Sequence, residues 1–150
     1  MTGSANIDEL VENFGFLDDW EDRYRYLIEL GRALAPLEDA ERNDVTKVRG
    51  CASQVWVVSK ATGSGPDTVI ELRGDSDAHL VKGLIAVVLA LFSGRTAREI
   101  LSTDEKAVFK SLGLNDHLTP QRSNGLASMV QRIKRDALAA SGAETSAAVH

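Results

Sequence analysis

The apolar positions of this chain change rhythm twice, and the order of the rhythms predicts its architecture. Ile7, Leu10, Val11 and Phe14 fall on one helical face. Asn6 precedes them and Glu9 lies three residues on, the spacing of a reciprocal N-terminal cap, and Gly15 is expected to interrupt the helix. A second start at Asp18, with Glu21 three residues on, opens a helix whose stripe is Trp20, Tyr24, Leu27, Gly31 and Leu34. Pro36 stops it, because proline lacks an amide hydrogen and clashes with the preceding turn. Residues 38–47 are polar, with a bend expected at Asn43-Asp44. The period then becomes two. Residues 54–59 carry Val55 and Val57 on one face and Trp56 and Val58 on the other, the pattern of a central strand or one covered on both sides. Residues 61–67, with Gly63, Gly65 and Pro66, read as a hairpin loop, and residues 68–73 alternate again. A further short strand is expected at Val48 and Arg49.

Helical spacing returns after Gly74-Asp75-Ser76-Asp77, which ends the hairpin and caps a helix beginning near Ala78. Residues 80–92 are apolar nearly all round, interrupted by Lys82 and Gly83. This run is too short to span a bilayer, which takes about 20 residues. It reads as a core helix lying on the sheet, with Gly83 permitting a close approach. Thr96 with Glu99, and Ser102 with Glu105, repeat the capping spacing, and Gly113 closes the turn after Leu112. Thr119-Pro120 is a cap followed by proline at the first helical position. Leu126, Met129, Val130, Ile133 and Ala137 then share a face, with Ser123 as a candidate restart and Gly142 as the end. The predicted class is α+β, with helices packed around a small antiparallel sheet. One domain is expected over residues 6–141, between disordered ends at 1–5 and 142–150.

Composition narrows the function. The chain has 150 residues, 43% of them hydrophobic and 26% charged, with a net charge of -5. That acidity argues against a nucleic-acid partner. The first residues hold neither a basic nor an apolar run, so no secretory signal is expected and the cytoplasm is the expected compartment. A single cysteine excludes an internal disulfide. His79, His117 and His150 have no metal-binding spacing, so neither a metal nor an organic cofactor is expected. The glycines at 63 and 65 lack the following lysine of a phosphate-binding loop.

Cys51 is the remaining candidate. It sits in Val48-Arg49-Gly50-Cys51-Ala52-Ser53-Gln54-Val55-Trp56, directly after a glycine and just before the most strand-like run. Gly50 admits backbone geometry closed to other residues, and Lys47 and Arg49 are expected to favour the thiolate, the reactive form. A lone cysteine is also a common small core residue, so a structural module with an inert thiol stays open. So does a Cys–His hydrolase using His117 or His79.

Several separated blocks resemble the SufE/CsdE family, on the SufE side. They are Trp20-Glu21-Asp22-Arg23-Tyr24 with Leu27-Ile28-Glu29-Leu30-Gly31, the block around Cys51, Gly74-Asp75-Ser76-Asp77, Val81-Lys82-Gly83-Leu84, and Leu118-Thr119-Pro120-Gln121-Arg122-Ser123-Asn124-Gly125. The resemblance implies a compact α+β acceptor protein without metal or organic cofactor. Its Cys51 would take persulfide sulfur from a pyridoxal-phosphate-dependent cysteine desulfurase of SufS or CsdA type, stimulate that enzyme, and relay sulfur to an iron–sulfur scaffold. It would be a carrier and activator rather than a stand-alone enzyme. A CsdE-like acceptor serving another sulfur pathway is the alternative. No membrane partner is expected. Arg49 and Gly50 are expected to support the thiol, and Asp75, Asp77 and Arg122 to contribute to partner docking.

Overall fold

The computed structural model describes residues 7–51 and 53–142, so the expected disorder at 1–5 and, of the tail expected at 142–150, all but Gly142 lie outside the described residues. Helices α1 (Ile7–Phe16) and α2 (Trp20–Arg32) come first. Strands β1 (Val55–Thr62) and β2 (Val69–Ser76) form an antiparallel hairpin. Helix α3 (His79–Phe92), a two-residue strand β3 (Arg95–Thr96) and helices α4 (Ala97–Ser102), α5 (Glu105–Ser111), α6 (Leu114–His117) and α7 (Pro120–Ala140) complete the chain. The class is α+β, with helices around a small antiparallel sheet.

Sheet order is β1-β2-β3, so β2 is central and β1 lies at an edge. This corrects the expectation that β1 is central, while the alternative, a strand covered on both faces, holds in part over its first four residues. What stands beside β1 is not a strand but a bridge between Lys47 and Trp56. The Val48 amide donates to the Val55 carbonyl at 2.8 Å, and the Val57 amide to the Thr46 carbonyl at 2.9 Å. The alternation within the strands is as expected. Val55, Val57, Ile70 and Leu72 are buried, while Trp56 and Val58 are half-covered.

Helix α3 is the hub. Its buried residues lie all round it, because α2 packs along one side, β2 on another and α7 on a third. The contact with α2 is made backbone to backbone. A Cβ on Gly83 would stand 2.2 Å from the Leu27 carbonyl oxygen, and one on Gly31 would stand 2.7 Å from the Gly83 nitrogen. Only hydrogen fits on either side, which explains two glycines in otherwise regular helices.

Several element ends differ from the sequence reading by local competition. Asp19, not Asp18, caps α2, its side chain accepting from the Glu21 amide at 3.0 Å. Gly15 does not interrupt α1: it faces open space, where a missing side chain leaves no gap in the packing. Ser102 closes α4 by donating to the Glu99 carbonyl, and Asp104 caps α5 instead. Ser123 does not restart α7, since its amide continues the ladder to the Thr119 carbonyl. The Thr96–Glu99 capping box and the Thr119-Pro120 start are present as expected, and Gly142 adopts a left-handed φ of 85° just past the end of α7.

An ion cluster fastens the open end of the hairpin. Asp75, only 7% exposed, faces Arg42 Nη1 and Lys82 Nζ, each at 3.5 Å. Its Oδ1 also accepts from the Ser76 amide at 2.8 Å. Arg42 reaches back to the Leu37 carbonyl at 2.9 Å and lies 6.0 Å from the Trp56 ring centre. One carboxylate thereby joins the polar run after α2, the sheet and the first turn of α3.

Two stability outcomes follow. Gly83→Ala is expected to lower unfolding free energy by more than about 2 kcal/mol, because the added methyl meets backbone that cannot rotate away. Urea denaturation measures it, and an unchanged midpoint would refute the contact. Asp75→Asn is expected to cost about 1–2 kcal/mol by the same measurement. That is less than for a wholly buried pair, since Arg42 and Lys82 keep part of their hydration.

Candidate functional site

The thiol sits on a connection shaped by the two segments that it joins. The bridge at Lys47 brings residues 46–48 alongside 55–57, so residues 49–54 must turn back within a short span. Gly50 makes this possible with φ +90°, and a Cβ there would also stand 2.6 Å from Ser128 Oγ. The glycine expected to set the turn is required twice over, by backbone angle and by contact with α7.

The connection runs along α7 in the reverse direction. Arg132 donates to the carbonyls of Val45 at 2.8 Å and Lys47 at 3.3 Å. Gly50 lies over Ser128, and the Cys51 thiol donates to the Gly125 carbonyl at 3.6 Å. Positions 125, 128 and 132 are spaced three and four apart, so one face of α7 carries the whole segment. On the other flank, the Gln54 amide donates to Asp77 Oδ1 at 3.1 Å and the Asp77 amide to the Gln54 carbonyl at 3.3 Å. Asp77 therefore fixes the exit of the cysteine turn, at the same end of the sheet as Cys51.

The thiol is half-buried. It faces a cavity of about 20 Å³ lined by Ser53, Val55, Val81, Leu84, Gly125 and Met129, with Gln121 and Arg122 also at its wall. That volume admits one particle of about the size of a water molecule. Burial pushes the Cys51 pKa up from the ordinary thiol value. This reverses the expectation that Lys47 and Arg49 favour the thiolate. Both line a separate groove with Ser128 and Arg135, and desolvation is what governs the thiol.

The docking expectations divide. Arg122 is exposed and borders the thiol cavity. Asp77 is exposed but engaged by Gln54. Asp75 is no exposed rim charge: it is buried in its cluster, and reversing it to arginine would set three cations together. The sequence reading missed Arg42 because it lies far along the chain in a polar run. The signal for Lys82 was present, as the one charged residue in α3 after the helix enters its apolar run. Neither candidate histidine serves the thiol: His117 stacks on Trp20 at 4.0 Å with Nδ1 3.0 Å from the Gly113 carbonyl oxygen, and among the described residues no histidine lines the cavity. Among the described residues no group of three or more acidic, histidine or cysteine side chains is arranged to hold a metal ion. No described helix is long and apolar enough to cross a membrane.

A thiol raised by burial reacts slowly. Between the unfolded and folded pKa values, the unfolded chain holds a thiolate where the folded chain still holds a thiol, and stability falls as pH rises through that window. Alkylation of Cys51 by iodoacetamide is expected to show a higher pH midpoint in the native protein than in urea, and a lower rate at neutral pH. A native midpoint below the denatured one would overturn the burial argument.

The chain matches the family described as SufE: Fe-S metabolism associated domain over residues 8–137. SufE-like proteins of Rhizobium meliloti (strain 1021) and Rhizobium etli are each 51% identical to it over 133 residues. Those alignments cover 89% of this chain and, respectively, 95% and 90% of the relatives. The solution structure of a hypothetical protein from Thermus thermophilus has a TM-score of 0.70 at 20% identity, over 89% of this chain and 94% of that one, a likeness of fold. With a family match spanning nearly all the described residues and half the aligned positions identical in two relatives matched over nearly their full length, this chain belongs to the SufE family.

Proposed function

We propose that the protein is a sulfur acceptor whose Cys51 takes sulfur from a pyridoxal-phosphate-dependent cysteine desulfurase and passes it toward iron–sulfur cluster assembly in the cytoplasm. The observation that carries this reading is the position of the sole thiol, half-buried against a small, partly open cavity with room for one added atom. The Cys51 thiolate attacks the outer sulfur of the donor's cysteine persulfide. The donor's sulfur–sulfur bond breaks, its electron pair stays on the inner sulfur, and that sulfur leaves as a thiolate. The outer sulfur is then held on Cys51 as a persulfide, with no net oxidation.

The cavity suits the carrier role more than the attacking role. Its walls, Val55, Val81, Leu84 and Met129, keep stray thiols from the stored sulfur. The same burial keeps the resting thiol protonated and unreactive. A partner that draws the 49–53 turn outward would expose the thiol and lower its pKa toward the ordinary value, so reactivity would be conferred by docking. Arg122 borders the cavity and would offer a cation to the anion that forms there. A donor of SufS type fits the SufE-like blocks, and the downstream recipient is an iron–sulfur scaffold. The protein would stimulate its donor by clearing sulfur from it, and would itself be restored once per cycle.

Half-burial also favours a second reading, a structural cysteine in an interaction module. Incubation with a cognate desulfurase and cysteine separates the two. Intact-mass measurement is expected to show the gain of one sulfur atom, reversed by reductant and absent in Cys51→Ser, with that variant's thermal midpoint close to the parent's. No sulfur gain, or stimulation that falls only in step with loss of fold, would establish the structural reading instead.

A further inference from the structure

A basic groove lies beside the cysteine turn and is separate from the thiol cavity. It has a volume of roughly 300 Å³ and is lined by Lys47, Val48, Arg49, Ser128, Gln131, Arg132 and Arg135. Four of these are cations, and among the described residues no carboxylate lines it. Arg132 is spoken for, pairing with Asp136 at 3.2 Å and holding the carbonyls of Val45 and Lys47. Lys47, Arg49 and Arg135 have no ion pair among the described residues. In a protein of net charge -5, three uncompensated cations in one groove are a segregated charge. Gathering like charges costs stability unless an anion meets them, and it raises the local concentration of an acidic partner.

We infer that this groove receives an acidic segment of the protein that delivers sulfur to Cys51; this rests on the sulfur-acceptor reading. Two features select a polypeptide carboxylate partner. The free cations are on long, solvent-reaching side chains, with Arg49 and Arg135 exposed, which suits the rim of a protein interface. The groove is also continuous with the thiol turn: Ser128 lines the groove and touches Gly50, whose neighbour is Cys51. A donor close enough to reach the thiol covers the groove as well.

The test is acceptor-dependent desulfurase turnover, measured across a salt series. Lys47→Glu with Arg135→Glu is expected to raise the KM for the acceptor at least roughly tenfold at low salt, with the difference from the parent shrinking as salt screens the groove. Lys47→Gln with Arg135→Gln, a milder change to the fold, is expected to fall between, and thermal melts establish that both variants are folded. A poly-glutamate peptide is expected to compete with the donor for the parent protein and not for the reversed one. A folded reversed variant with the parent's KM overturns the groove while sulfur transfer stands. A KM defect that persists undiminished at high salt overturns it too, because the contact would not be electrostatic. If the parent gains no sulfur at all, the acceptor reading falls and takes this inference with it.

Discussion

The seating of α3 is the constraint from which the rest of the structure follows. Its faces are claimed by α2, the sheet and α7 at once, and the α2 crossing leaves space only for hydrogen at Gly83 and Gly31. A contact between backbones has no side chain to rotate, so it fixes the depth of the helix rather than accommodating it. That depth sets where Val81 and Leu84 stand, and both form walls of the thiol cavity. The floor of the site is thus determined on the far side of the core from the surface that a partner would meet.

Over that floor lies the segment that carries the thiol. The segment from Val45 to Cys51 follows α7 through Arg132, Ser128 and Gly125, and its exit is tied by Asp77 to Gln54. Between these ties the thiol donates to the Gly125 carbonyl of α7. The upward shift of the thiol comes from the same placement, since the cavity wall removes solvent that would stabilise the thiolate.

Charge is sorted by depth around this turn. Asp75 is buried with Arg42 and Lys82, where it joins three parts of the chain. Arg122, Arg49 and Arg135 remain at the surface. Carboxylates and cations that looked equivalent along the chain are divided into structural and solvent-facing groups by which side of the hairpin end they occupy.

The sequence by itself determined the α+β class, both hairpin strands, the apolar central helix, the caps at Thr96 and Thr119, and a glycine turn before Cys51. These rest on periodicity, on local hydrogen bonding and on motif identity, all of which act within a few residues. Tertiary structure alone decided that β1 is an edge strand, because strand order depends on which distant segment pairs with which. It alone decided that Asp75 is buried, because Arg42 and Lys82 come from other elements. The thiol's protonation was misread for the same reason. Lys47 and Arg49 are near Cys51 in sequence, but the pKa answers to the solvent lost to Val55, Val81, Leu84 and Met129, which only folding brings together.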